Sequence, residues 1–372
     1  GVNHPQITYY FLFILIAFWV NELVLSIRKR ILPHFAKATG LLALAAVLAV
    51  GSNAGMLYYI DSHSSETMRG GSELTSADGK KQDGLGLQYA TAWSYGKAET
   101  FNMLIPNLYG GTSQGGFSQD GEVAGVLRNY RADVSQVPAY WGPQPMTSGP
   151  VYLGAVALLL AVLGMFVLRG RSKWWVFVVT LLAVLLSWGS NFMGFTELFF
   201  DHFPMYNKFR TVSMILVIAE WSVPFLMAVV LQRLWCGELD RQRLMKGLRS
   251  AVLTVGGIAL LFLVFGGALM SFSGQGEDQL PQEVASAMRS ERASMMRADA
   301  FRSLLFVLLA AGVVWAFAAE KIKKTAFVLL LGVLVTADMV PVNLRYLNGT
   351  HQEIFHLVPQ KVFCPLMFSN PE

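Results

Sequence analysis

The chain has 372 residues, of which 54% are hydrophobic and only 14% charged, with a mean hydropathy of +0.45. Soluble domains carry about a quarter charged residues, so this composition excludes a soluble globular enzyme and points to a polytopic membrane protein. The formal charge of +5 is no nucleic-acid footprint, because the basic residues sit in short connections between apolar runs.

Crossing a hydrocarbon layer of roughly 30 Å takes about 20 helical residues. Eight runs reach or approach that length: 8–27, 40–60, 149–168, 174–192, 213–235, 251–271, 301–319 and 325–342. No strand-like alternation competes with them. The expected fold is therefore all-α, with about eight transmembrane helices. Two fall in 1–60, a polar region fills 61–148, and six more fall in 149–347 with loops at 193–212 and 272–300. A tail begins at 348–372.

Sidedness follows from Lys and Arg in the short connections. Arg28, Lys29, Arg30 and Lys37 lie in the first, and Arg169, Arg171 and Lys173 in the third. Arg233, Arg241, Arg243, Lys246 and Arg249 lie in the fifth, and Lys321, Lys323 and Lys324 in the seventh. These four connections are expected in the cytoplasm, which puts both termini and the longer loops outside. Cys236 and Cys364 then fall on opposite sides and cannot pair. The chain opens at Gly1 without a charged leader, and an outward start implies an odd number of spans upstream.

The region 61–148 is the only long polar segment, rich in glycine and aromatics. It is expected to form a large extracytoplasmic loop carrying short interfacial helices. Trp93, Tyr95, Tyr140 and Trp141 are of the type that stacks on sugar rings, and an interfacial aromatic belt explains them equally. Glu99 joins them as a possible sugar or acceptor contact. With Asp61, Asp120 and Glu122 it is also an outward carboxylate of the kind that serves as a base, and nothing in the sequence singles one out. Gly110-Gly111 and Gly115-Gly116 lack the Gly-Lys-Ser/Thr of a phosphate loop and are expected to be turns.

In 193–212, aromatic clusters around Pro204 predict a helix lying in the interface, and 282–297 reads as an amphipathic helix after Pro281. Gly51 and Gly55 are spaced as a helix-packing notch, and Asn348-Gly349-Thr350 matches a glycosylation acceptor.

Three carboxylates fall inside the spans, where a charge is costly and marks a candidate site. Glu220 lies about 10 Å below the outer end of the fifth span. It would line a polar cavity or bond a neighbouring helix. Asp338 lies near the outer end of the eighth span, in a cavity or at the interface. Glu22 lies near the cytoplasmic end of the first, where snorkelling or pairing with Arg is expected. Arg210, with Lys208, stands where the fifth span begins. A guanidinium there suits bidentate binding of a phosphate at headgroup depth, or plain anchoring to lipid headgroups. The histidines show no metal-ligand spacing. No cofactor is indicated, and a divalent cation is left open.

Several strings resemble the bacterial YfhO-type membrane proteins. They are Asn3-His4-Pro5-Gln6-Ile7-Thr8-Tyr9-Tyr10-Phe11, Thr91-Ala92-Trp93-Ser94-Tyr95-Gly96-Lys97-Ala98-Glu99-Thr100, Leu104-Ile105-Pro106-Asn107 with Gly110-Gly111, and Tyr140-Trp141-Gly142 with Thr147-Ser148-Gly149-Pro150-Val151-Tyr152. Asn207-Lys208-Phe209-Arg210 resembles the family's basic entry to a later span. The family's second Arg has no counterpart in Thr211-Val212-Ser213-Met214.

The resemblance implies a GT-C-like integral membrane glycosyltransferase of the bacterial inner membrane. Its partners would be a polyprenyl-phosphate-linked sugar and a cell-envelope glycan or glycolipid acceptor, with Arg210 and Lys208 on the donor phosphate. It also implies a catalytic carboxylate in a loop preceding Gly1. Two alternatives stay open: a flippase or transporter of lipid-linked sugars or small solutes, and a non-catalytic partner of a glycosyltransferase.

Overall fold

A computed structural model describes residues 4–64, 85–170 and 172–347. The expectations for residues 65–84, for the tail with Cys364 and Asn348-Gly349-Thr350, and for the Asp61 side chain lie outside the described residues. Among the described residues every regular element is helical.

The long helices are α1 (Pro5–Lys29), α2 (Leu32–Ser52), continued by α3 (Ala54–Ser64), and, after the short α4 (Leu87–Ala90) and α5 (Glu122–Asn129), α6 (Ala155–Val167) and α7 (Ser172–Ser187). There follow α8 (Met193–His202), α9 (Val217–Trp235), α10 (Arg241–Leu269), α11 (Gln282–Ala318) and α12 (Lys324–Tyr346). Six of these are long and apolar enough to cross a membrane, or seven if the bent pair Lys173–Ser187 and Gly189–His202 is one span.

Three predicted runs take a different form, each for a local reason. The run 149–168 becomes helical only at Ala155, leaving 13 residues. Gly154 has φ +93, and the Leu153 amide donates to Met103 O at 3.1 Å, so 149–154 stays outside the helix. The run 174–192 breaks after Ser187, whose carbonyl accepts from the Tyr95 amide at 2.8 Å. Gly189 then turns the chain by 109° with φ +46, and a Cβ there would lie 2.1 Å from Ser94 Oγ. The amphipathic 282–297 and the apolar 301–319 fuse into one helix of 37 residues, with Arg292 and Asp299 buried inside it.

The chain divides into two compact units. The first comprises Gly1–Phe101, Gly142–Met146 and Leu160–Gly247, and the second Asn102–Trp141, Thr147–Leu159 and Leu248–Glu372. The division therefore cuts through the polar region 61–148.

In the first unit, Tyr10, Phe13 and Ile14 of α1 pack with Val179, Ala183 and Leu186 of α7, and with Tyr206, Ile215 and Ile218. Gly164 and Gly247 let backbones approach, since a Cβ at either would meet Val230 at 2.7 Å or Val167 at 2.4 Å. Helix α2 buries no residue and presents an apolar surface suited to hydrocarbon.

In the second unit, α5 packs its Val123, Ala124 and Leu127 on Val284, Ala287 and Met288 of α11. Phe317 stacks on Phe327 at 4.2 Å between α11 and α12.

Candidate functional site

Within the first unit, three backbone hydrogen bonds lay the 85–95 segment against the approach to α9. Leu85 N donates to Asn207 O at 3.0 Å, Thr211 N to Ala90 O at 3.1 Å, and Ser213 N to Trp93 O at 3.3 Å. From α1, the Gln6 amide donates to Arg210 O at 2.5 Å and Thr211 O at 3.4 Å. Thr211 adopts the left-handed region with φ 61. These contacts fix the Arg210 backbone from two directions.

The Arg210 side chain is exposed, and its NH1 donates to Tyr89 OH at 2.7 Å, with the guanidinium 6.0 Å from the Tyr89 ring centroid. It forms no ion pair among the described residues, so the rest of its N–H fork faces no protein carboxylate. Lys208 is half-buried two positions earlier. Tyr206 is buried against α1 and α7, and that burial pushes its phenol well above the usual range. Glu220 is exposed on the first turn of α9, where a carboxylate suits the helix dipole.

The remaining predicted contacts are distributed between the units. Trp93 is half-buried in the first unit and donates through Nε1 to Met146 O at 3.2 Å. Tyr95 and Glu99 are in the same unit and buried. Glu99 Oε2 accepts from Gly96 N at 2.9 Å and Oε1 from Gln144 at 2.9 Å, so this carboxylate closes the loop on itself. Tyr140 and Trp141 belong to the second unit and are buried, Trp141 stacked on Tyr109 at 4.2 Å. Of the four aromatics, Trp93 alone keeps partial access to solvent.

Asp338, expected in a polar cavity or at the interface, is fully buried at the centre of a network in the second unit. Its Oδ1 accepts from Tyr152 OH at 2.6 Å and pairs with Arg302 at 3.0 Å, while Oδ2 accepts from Val156 N at 3.2 Å. The Arg302 guanidinium also lies 4.9 Å over the Phe306 ring.

Two further buried ion pairs on α11 escaped the sequence reading. Asp299 is gripped bidentately by Arg345 at 2.7 and 2.9 Å and accepts from Asn107 N at 3.1 Å. Arg292 pairs with Glu277 and donates to Ala139 O at 2.8 Å, Phe272 O at 2.9 Å and Pro138 O at 2.9 Å. The available signal was the register 292, 299, 303 along one face of an otherwise apolar helix. The Asp299–Arg345 pair joins α11 to α12, with loop residue Asn107 bonded to the same carboxylate, and the Arg292–Glu277 pair ties the loop before α11 to it.

Among the described residues no group of three or more His, Cys, Asp or Glu side chains is placed to hold a metal ion. No protein-family model, no curated protein and no solved structure matches the chain.

Proposed function

We propose that this chain is a GT-C-like glycosyltransferase of the bacterial inner membrane, acting on the extracytoplasmic face. It would transfer a sugar from a polyprenyl-phosphate donor to a cell-envelope glycan or glycolipid. The observation that carries this reading is the Arg210 corner. An exposed guanidinium without a carboxylate partner donates to Tyr89 at the entry to a membrane-length helix, its backbone carbonyl held by Gln6, with Lys208 two positions earlier. Such a fork matches the paired oxygens of a phosphate.

In the transfer, the bond between the anomeric carbon and the phosphate oxygen breaks while the acceptor hydroxyl bonds to that carbon. The hydroxyl proton passes to a carboxylate base, and the lipid phosphate leaves as an anion. Arg210 and Lys208 stabilise that developing charge. Trp93, whose carbonyl is bonded to the same segment, offers a half-exposed ring for a sugar. Glu99 is committed to Gly96 and Gln144, and the base is assigned to none of the described carboxylates.

The test is binding of a short-chain polyprenyl phosphate to purified protein in detergent. A charge-assisted hydrogen bond is worth roughly 1.5–3 kcal/mol, so Arg210→Ala is expected to weaken binding by about 10- to 100-fold. Folded yield should stay near wild type, because the side chain is exposed. Unchanged affinity in Arg210→Ala, or loss of affinity only in step with loss of folded protein, would leave Arg210 as a membrane anchor.

A further inference from the structure

At the basic ends of the first unit's helices lies a cavity of about 510 Å³, which of the predicted candidates only Glu22 lines. Its walls come from α1, the α6–α7 turn, α9 and the start of α10. One part is apolar: Phe18, Trp175, Phe225 and Val229. Trp175 anchors that part, 5.5 Å from Phe18 and 6.1 Å from Phe225 between ring centroids. The other part is charged, with Arg169, Lys173, Arg233 and Arg243 facing Glu22, Glu238 and Asp240.

These charges are not equivalent. Arg233 is spoken for by Glu238. Lys173 donates to Met165 O, and Arg243 to Leu168 O at 3.4 Å, so both cap the carbonyls at the C-terminal end of α6 while lining the cavity. The Asp240 carboxylate accepts from the Arg243 backbone amide at 2.9 Å. Arg169 is exposed and forms no ion pair among the described residues. One face thus gathers three cations free of carboxylate partners, next to an aromatic slot running along the helices.

We infer that this cavity is a binding site for a phosphate-bearing lipid. The phosphate would lie against Arg169, Lys173 and Arg243, and a hydrocarbon chain would lie along Phe18, Trp175, Phe225 and Val229. Basic pockets between membrane helices take anionic headgroups in this manner, and long cationic side chains at helix ends reach headgroup depth. On the charge distribution of the connections this site faces the cytoplasm. It is a separate site from the Arg210 corner and does not depend on the function proposed for that corner.

The test is quenching of Trp175 fluorescence, measured as the difference between the full chain and its Trp175→Phe variant in mixed micelles. The probes are phosphatidylglycerol and phosphatidylcholine with brominated acyl chains. Phosphatidylglycerol is expected to quench at lower mole fraction than phosphatidylcholine. Arg169→Gln, an exposed position with no packing role, should raise its half-quenching mole fraction about tenfold. Glu22→Gln, which removes a negative charge from the wall, should lower it.

Equal quenching by both lipids with no effect of Arg169→Gln would reduce the cavity to ordinary solvation by lipid and overturn the inference. So would full displacement by inorganic phosphate alone, which would make the ligand a free anion. Weaker phosphatidylglycerol binding in Glu22→Gln would show that the acid, not the cations, holds the occupant, with the same consequence. A Val229→Trp variant, which fills the apolar slot and leaves every charge in place, should abolish the Trp175-specific quenching; retained quenching also overturns the inference.

Discussion

Replacing Arg302 with Met should be the most damaging single change to the helix pair α11–α12. Asp338 is 0% exposed and spends both oxygens on Tyr152, Arg302 and Val156. Removing the guanidinium leaves a buried carboxylate without its counter-charge, which costs about 3–5 kcal/mol. The reverse change, Asp338→Leu, strands an arginine that is 17% exposed and lies over Phe306 at 4.9 Å, and it leaves Tyr152 OH and Val156 N short of an acceptor. Its cost should be smaller, roughly 1–3 kcal/mol.

The double variant Arg302→Met with Asp338→Leu removes both charges and should be milder than the sum of the singles, with a coupling of about 2 kcal/mol or more. Equilibrium unfolding in mixed micelles, titrated with sodium dodecyl sulfate and followed by tryptophan fluorescence, measures all four corners of this cycle. Additivity within about 0.5 kcal/mol would mean that the two side chains do not act as a pair, and the reasoning about this network would fail.

Other changes separate backbone from side-chain effects. Gly110→Ala should destabilise by more than about 2 kcal/mol, because φ is +83 and the new Cβ would sit 2.0 Å from Ala139 O. Gly125→Ala in α5 meets nothing within 4 Å and should be neutral or stabilising by up to about 1 kcal/mol in the same unfolding assay. Glu291 caps α5 from another helix, accepting from Val123 N at 2.9 Å and Ser118 N at 3.1 Å. Glu291→Ala should therefore cost about 1–2 kcal/mol and speed amide exchange in Glu122–Asn129, while leaving α12 amides unchanged.

The spans were legible where an apolar run and its backbone agree, as in α1, α9, α10 and α12. They were misjudged where a single glycine or a long-range hydrogen bond overrides hydropathy. The run 174–192 was carried past Ser187 on Trp188 and Phe192, yet Gly189 and the Tyr95 amide end the helix there. Asp338 stood out as an acid in a span, but its partner Tyr152 is 186 residues away in sequence. Arg302, inside the predicted 301–319 run, is a charge in a span of the same kind. A hydropathy profile penalises each charge separately, so it cannot register a neutralised pair such as Arg292 with Glu277.

The aromatics of 85–148 are of the type expected at a sugar or in an interfacial belt. Tyr95 is instead buried in the first unit, and Tyr140 and Trp141 are buried in the second. The exposed cation of the Arg210 corner was legible from residue type and position; its supports Tyr89 and Gln6 were not, since only the fold brings them near.

The account rests on sidedness, and thiol labelling measures it directly. Cys236 is exposed in a basic connection, and Lys97 is exposed in the aromatic-rich segment. In a Cys364→Ser background, Cys236 should react with a membrane-impermeant maleimide only after permeabilisation. A Lys97→Cys variant lacking both native cysteines should react in intact cells. The opposite pattern, with Cys236 labelled in intact cells and position 97 protected, would contradict the account.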